Sequence, residues 1–370
     1  MSIEKRKILF ILPNSQGGGP VQMLSLLKGI NRDKWTCVYA GPNNGGFWSA
    51  LKENSDRVYD IPFRTHPFRT LLLIIKILWT EKPDLIHAHG KGAGAIGRIA
   101  NFFYWKPVIY TFHGLYFEHL SPLKQKLYFL SEKLLGFFTF KAISVGKSEY
   151  ADLKSLHWLS ETKIELIPNG IPIPKRNPSD FSDEEIIFGS IVRISPIKGT
   201  EKLIEGILKA RRSSSRNIKL FVFGSVQSGE EKFFDELNER FHSEIGDWLF
   251  FKGHVSPIEI ALSQIQVFIT NAQKEGLPLT LLEAICSGLP ALASRIPAHT
   301  EVLKHNPDEL FFDFYSEESI SKAVQTWINL DNESRANIQK KNQDYVLENY
   351  SLSKMVKSTE RLYELAAPSR

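Results

Sequence analysis

Two carboxylates eight positions apart, Glu275 and Glu283, bracket the run Gly276-Leu277-Pro278-Leu279-Thr280-Leu281-Leu282. The apolar residues 267–270 just before them read as a buried strand. Gly276 and Pro278 break the chain, and a helix is expected from about Leu279 to a glycine stop at Ser287-Gly288. Pro278 suits a first helical turn, where a missing N–H costs nothing. A loop entering a helix N-terminus offers free N–H groups and a positive dipole end, an anion site best suited to phosphate. Carboxylates would repel an anion, but each can accept two hydroxyl hydrogen bonds from a vicinal diol. The combination suits a diphosphate flanked by two sugars, that is, a nucleoside diphosphate sugar. A capped surface helix bearing two solvated acids would show the same spacing.

Three other places carry chemistry. Arg193 and Lys198-Gly199 follow an apolar run at 186–191 and precede a helical pattern at 200–212. Two cations at such a strand–loop–helix mouth can hold a diphosphate, Arg as a fork and Lys as a point charge. Gly17, Gly18 and Gly19 follow the first apolar run, 7–12, where glycine lets backbone approach a ligand or simply makes a tight turn. Counting G-x-G-x-x-G from Gly17 puts Gln22 where the last glycine belongs, so no dinucleotide fingerprint is present. Residues 92–97 do match that pattern after a strand. However, the next strand ends in Thr111-Phe112-His113 without a carboxylate for a ribose, so the segment reads as a small-residue helix start near a ligand. His87, His89 and His113 stand at strand ends.

These residues need elements to position them, and the chain supplies an alternating series. Strands are expected at 7–12, 35–40, 57–61, 84–89, 108–113, 141–145 and 164–167, with helices at 20–30, 46–53, 68–80, 92–103, 120–136 and 147–155 between them. A second series has strands at 186–191, 219–223, 249–252, 267–270 and 310–314. The proline-punctuated segment 168–174 is the best linker, and 177–185 reads as polar loop. The β–α alternation predicts parallel sheets covered on both faces, with ligands beyond the carboxyl ends of the strands. Domains are expected at 1–172 and 173–349, with 350–370 packing back on the first.

A chain of 370 residues with 42% hydrophobic and 24% charged residues is an ordinary two-domain globular protein, not a disordered or membrane-spanning one. Two distant cysteines, Cys37 and Cys286, imply neither a disulfide framework nor a metal cluster and fit a reducing compartment. The first residues read as a strand rather than a signal peptide, so a cytoplasmic location is expected. Residues 1–175 hold 23 Lys+Arg against 13 Asp+Glu, and the remainder 23 against 28, giving +10 and −5. The basic half suits a phosphorylated acceptor or a membrane surface, or is an uneven solvated face. Phe102, Phe103, Tyr104, Trp105 and Lys106, then Lys124, Lys126, Tyr128, Phe129, Lys133, Phe137, Phe138 and Phe140, fit an amphipathic interfacial segment, though helix core packing is the commoner use.

Taken together, the chain resembles the retaining glycosyltransferases of family 4 (glycosyl transferases group 1), which have the GT-B fold. The resemblance runs nearly its whole length. Gly17-Gly18-Gly19 looks like the family's first glycine loop. Arg193-Ile194-Ser195-Pro196-Ile197-Lys198-Gly199 looks like its Arg…Lys-Gly clamp, Glu275 to Glu283 like its E-x7-E motif, and the segment from Tyr350 like its returning terminal helix. The resemblance implies two Rossmann-like α/β domains facing a central cleft, with an acceptor domain first and a donor domain second. Arg193 and Lys198 would offset the charge of the leaving nucleoside diphosphate without a metal or other cofactor. Glu283 would take the ribose hydroxyls, Glu275 the transferred sugar, and the backbone around Gly253, His254 and Val255 the base. Gly276, Leu277, Leu279 and Thr280 would line the donor, as would Gly17, Gly18 and Gly19, and His113 would lie beside the sugar. The expected reaction moves a hexose or N-acetylhexosamine from a UDP-sugar to a saccharide acceptor, lipid-linked in surface polysaccharide assembly, with possible peripheral contact to an anionic membrane and no nucleic-acid partner. Nucleotide-sugar 2-epimerases share the architecture and are the alternative.

Overall fold

The central strand of the first sheet, β1 (Arg6–Ile11), is apolar on both sides, and its alternation shows where each side goes. Ile8 and Phe10 enter one core layer, Leu9 and Ile11 the layer on the opposite face. A strand buried on both faces requires helices on both, and a parallel sheet with crossover helices provides them.

The computed structural model describes residues 5–15, 17–63, 66–115, 117, 120–172, 185–226 and 229–368. Gln16, the linker residues beyond Pro172 and the polar stretch 177–184 lie outside them. The chain forms two units, Met1–Ile171 with Tyr350–Arg370, and Pro172–Asn349.

In the first unit β1 is followed by α1 (Gly18–Gly29), β2 (Trp35–Gly41), α2 (Trp48–Glu53), β3 (Arg57–Asp60), α3 (Pro67–Glu81), β4 (Leu85–His89) and α4 (Gly90–Asn101). Then come β5 (Val108–Thr111), α5 (Pro122–Leu135), β6 (Lys141–Ser144), α6 (Lys147–Leu156) and β7 (Ile164–Leu166). The seven strands run parallel in the order β3-β2-β1-β4-β5-β6-β7.

The second unit holds β8 (Glu185–Ile191), α7 (Thr200–Arg212), β9 (Asn217–Phe223), α8 (Glu231–Arg240), β10 (Leu249–Gly253), α9 (Ile258–Ser263), β11 (Val267–Thr270) and α10 (Leu279–Cys286). It continues through β12 (Ala291–Ser294), α11 (Pro297–Val302), β13 (Phe311–Phe312), α12 (Glu317–Asn329) and α13 (Asn332–Asn349). Its parallel order is β10-β9-β8-β11-β12-β13. In both sheets the order reverses direction beside the first strand, and that switch point is where open α/β sheets bind ligands.

The last helix, α14 (Leu352–Ala366), belongs to the first unit. Its Met355, Val356, Leu362 and Tyr363 are buried in the layer with α1. At Gly29 an added Cβ would stand 2.6 Å from Val356 Cγ2, so glycine sets the closeness of α1 to α14. Tyr363 Oη lies 2.6 Å from His87 Nδ1, and Ile171 donates its N–H to Tyr350 O at 3.1 Å. Burying four such side chains contributes roughly 1.5–3 kcal/mol each relative to exposure.

Several expectations are corrected. The strand β12 is not anticipated by the sequence pattern. Ala291-Leu292-Ala293-Ser294 is poor in β-branched residues and follows a proline, yet its centre is fully buried between β11 and β13. The strand expected to reach His113 ends at Thr111, and α1 begins two residues before Pro20, which brings Gly18 and Gly19 into its first turn. The 92–97 glycines do lie in the opening turns of a helix, α4, which starts two residues earlier than expected, and there Gly94 and Gly97 serve packing. A Cβ on Gly94 would meet the Tyr110 ring at 2.4 Å, and one on Gly97 would meet Ile11 at 3.3 Å. Tyr128, Phe129 and Phe140 also turn inward rather than forming an interfacial face. The first two pack on Phe117 and Trp158, the third on the α1 layer.

Candidate functional site

The second unit's site forms at its switch point. β8 and β11 are neighbours, so the loops leaving their carboxyl ends are brought side by side. Three bonds lock these loops together. Asn271 donates its Nδ2–H to Gly199 O at 3.1 Å, Gln273 its N–H to Ile197 O at 3.1 Å, and Lys198 pairs with Glu275. Gly199 has φ +57°, and a Cβ there would lie 2.3 Å from Asn271 Nδ2, so glycine is needed both for the turn and for the bridge. Asn271 is fully buried and also reaches Phe314 O at 3.1 Å, which joins β13's exit to the same loop.

Lys198 and Glu275 are thus a mutually neutralising pair with both side chains mostly shielded, 14% and 19% exposed. A cation and a carboxylate in contact can separate onto a phosphate and a sugar hydroxyl respectively. Glu283 sits within α10, whose neighbours Leu281, Leu282, Ala284 and Ile285 are buried. Among the described residues it has no ion-pair partner, and burial, aided by the charge of Glu259, pushes its carboxyl up to about 7. An unpaired, poorly solvated carboxyl of this kind accepts hydroxyl donors well once ionised. This is not the solvated acid of a plain surface helix.

The remaining expected residues are distributed unevenly. Gly276 is buried, and Leu279 and Thr280 occupy the first turn of α10. Leu277 is buried in the interior, so a ligand there would meet its backbone. Arg193 is exposed just after β8 and forms no ion pair among the described residues. The structure does not join it to Lys198. His254 is exposed and Val255 partly so, in the turn after β10, and this turn leads into α9 with Glu259 near Glu283.

Sequence reasoning missed His299 and the residues that seat it. Burial holds this histidine down at about 4, with Glu275 opposing and Lys198 adding to that effect, so its fully buried ring lies in the field of the pair. Its Nδ1 is 2.9 Å from Ser294 O, and its Nε2 is buried without a partner among the described residues. Ser294 Oγ accepts from Ala272 N at 3.0 Å and donates to Ala272 O at 2.8 Å, which ties β12 to the loop bearing Glu275. Because β12 was not expected, nothing in the local pattern pointed to His299.

In the first unit the switch point between β1 and β4 gathers the glycine loop and the histidines. Gly17 has φ +86° at the N-cap of α1. Gly19 adjoins His113, whose Cδ2 would be 3.6 Å from an added Cβ. His113 itself has φ +66°, and Glu149 holds that turn by accepting the N–H of Gly114 and, at 2.9 Å, that of Val145. His113 Nε2 is 3.1 Å from His89 Nδ1. Burial holds His113 down at about 4 and His89 well below the ordinary range, so both rings are neutral near pH 7 and one donates to the other. His87 is structural, bridging Tyr363 Oη and, at 2.8 Å, Thr111 Oγ1. Among the described residues no group of three or more His, Cys, Asp or Glu side chains could hold a metal ion.

Comparison with known proteins follows the two units. A family model described as Glycosyltransferase Family 4 matches residues 16–174, and one described as Glycosyl transferases group 1 matches 173–345. The chain is 24% identical over 379 residues to UDP-Gal:alpha-D-GlcNAc-diphosphoundecaprenol alpha-1,3-galactosyltransferase of Escherichia coli, covering 93% of this chain and 95% of that one. It is 25% identical over 275 residues to the Capsular polysaccharide biosynthesis glycosyltransferase CapM of Staphylococcus aureus, covering 70% and 71%. The solved structure of Anabaena Alr3699/HepE in complex with UDP and glucose matches it with a TM-score of 0.84 at 19% identity, over 97% of this chain and 100% of that one.

Proposed function

Because this chain belongs to the family 4, group 1 glycosyltransferases, which have the GT-B fold, we propose that it moves a hexose or N-acetylhexosamine from a UDP-sugar to a lipid-linked saccharide, with retention of anomeric configuration, in surface polysaccharide assembly. The observation that carries this is the Lys198–Glu275 pair at the switch point, with Glu283 left unpaired about one turn into α10. The relatives support the donor and acceptor classes, since the Escherichia coli enzyme's name specifies UDP-Gal and a diphosphoundecaprenol acceptor, and CapM's a capsular polysaccharide.

Lys198 and Arg193 take the diphosphate, and no metal is needed to offset its charge. Glu283 accepts the ribose hydroxyls, Glu275 those of the transferred sugar, and the backbone at Gly253, His254 and Val255 meets the base. Gly17, Gly18, Gly19 and His113 are assigned to the reacting groups in the first unit. The anomeric carbon–oxygen bond to the diphosphate breaks as the bond to the acceptor oxygen forms on the same face. The acceptor proton passes to the leaving phosphate, whose developing charge Lys198 and Arg193 stabilise. Neutral His113 can donate to, or accept from, a sugar hydroxyl without adding charge.

The test is thermal unfolding in the presence of UDP-, GDP- and ADP-sugars, because a ligand of the native state raises stability by mass action. A UDP-sugar is expected to raise the midpoint, and product mass with a polyprenyl-diphosphate saccharide should then grow by one sugar residue. A change of sugar without acceptor would make the protein an epimerase instead, and no shift with any donor would remove the roles given to Arg193 and Lys198.

A further inference from the structure

Three consecutive helices of the first unit leave an apolar stripe uncovered. On α5 and the turn after it, Leu123, Leu127, Leu130, Leu134 and Phe137 are all exposed, at alternating intervals of four and three, so they line one side. On α3, Phe68, Leu72 and Trp79 follow the same rule. At the end of α4, Phe102, Phe103 and Trp105 project together. Phe68 is 73% exposed, Trp105 72% and Phe137 78%, far more than scattered surface apolar residues require.

The stripes form one band. α4 packs between α3 and α5. Trp79 meets Tyr104 at 5.6 Å between ring centroids, and Phe102 meets Phe138 at 5.9 Å, so rings connect α3 through the end of α4 to the segment after α5. A buried ion pair pins α4 to α5, with Arg98 Nη2 2.9 Å from Glu132 and its guanidinium over the Tyr110 ring. The band is therefore a built surface and not a frayed edge.

Its charges are of one sign. Arg69, Lys76, Lys124, Lys126 and Lys133 are exposed on α3 and α5. The two carboxylates of these helices, Glu81 and Glu132, are both buried in ion pairs, so among the described residues none of the exposed positions on the three helices is acidic. Aromatic rings and leucines with a cationic border match the boundary between acyl chains and anionic headgroups. A second copy of this chain would bring the same cations against themselves. None of the described helices is long and apolar enough to cross a membrane. We infer that the outer face of α3, α4 and α5 docks on the surface of an anionic lipid bilayer, lying in the interface and not spanning it.

This inference is independent of the reaction assigned above. The test is cosedimentation of the full chain with vesicles of phosphatidylcholine containing a minor fraction of phosphatidylglycerol, at low salt. The protein pellets with these vesicles, far less with phosphatidylcholine alone, and is released by salt. Leu127→Glu and Leu134→Glu, both at exposed positions, each lower the partition about tenfold or more. Lys232→Glu on α8 leaves it unchanged. Circular dichroism and the UDP-sugar thermal shift of the two leucine variants match the parent, which separates lost docking from lost folding or lost donor binding. Failure to pellet with phosphatidylglycerol vesicles, or pelleting indifferent to both leucine variants, overturns the inference. So does self-association that the same variants abolish in the absence of vesicle binding, which would assign the face to a second copy.

Discussion

Lys198 and Glu275 hold each other in one contact. In the proposed reaction a phosphate and a sugar separate them, so removing either residue would affect both ligand groups. Lys198→Ala and Glu275→Ala are each expected to lower turnover, read as UDP release, by about 2–4 kcal/mol in barrier, roughly 30- to 1000-fold. Each also leaves a partly buried charge without its partner, so the double variant should be no less stable in thermal unfolding than either single one. Near-parental turnover in both singles would mean that the contact plays no part in the chemistry. Glu283 leads to a pH dependence. Its folded carboxyl titrates at about 7, above the unfolded value near 4.3, so between those limits the native state retains a proton that the unfolded chain has released. Stability from this group is therefore full below about pH 4, declines as pH rises towards about 7, and is level above. Glu283→Gln should raise the unfolding midpoint relative to the parent at pH 8 and lose that advantage towards pH 4. UDP-sugar affinity should move the other way, strengthening through pH 7 in the parent as the acceptor carboxylate forms, and staying flat in Glu283→Gln. A parent and variant with parallel pH profiles would remove Glu283 from the site.

At the scale of elements, two features matter. The loops after β8 and β11 are short, hydrogen-bonded to each other and anchored by the buried Asn271, so the site is preorganised by backbone before any ligand arrives. α14 is the other. Although it lies at the far end of the chain, it fills the α1 side of the first sheet and caps His87 through Tyr363. Ending the chain after Asn349 would expose the Trp35, Tyr39 and Met23 layer to water. Hydrogen exchange of that truncated chain should show protection lost across β1, β2 and α1 while β8, β9 and α7 keep theirs. Unchanged protection of β1 and β2 would make α14 dispensable. The sequence anticipates this helix as a returning segment, but its depth of burial depends on contacts with residues more than 300 positions away, such as Gln22 with Met355.

Across the whole molecule, the two units repeat one strand order, so each has a switch point, and each candidate site lies at the carboxyl ends of the corresponding pair of strands. The charge is not repeated. The basic excess lies in the half that also carries the exposed apolar band, and the acidic excess in the half carrying the Lys198–Glu275 pair. The inferred bilayer face and the proposed nucleotide-sugar site thus lie in different units of one chain.

The amino-acid order alone determined what is decided within a few residues. Apolar runs of four to seven residues become strands, Gly288 ends α10, Pro278 precedes its first turn, and the spacings Arg193…Lys198-Gly199 and Glu275…Glu283 place chemistry at loop–helix junctions. Those signals are local because periodicity and chain breaking act through neighbouring backbone groups. Tertiary structure decided everything that depends on strand order, which no local pattern encodes. It placed β11 beside β8 so that Lys198 meets Glu275 77 positions later, and it inserted the weakly patterned β12 and with it His299. It also left Glu283 unpaired and turned Tyr128 and Phe129 inward while Leu127 and Leu130 face out. The amino-acid order specifies which side chains are available, and the crossovers of the sheet select which of them share a dry environment, where a charge with a partner and one without behave differently.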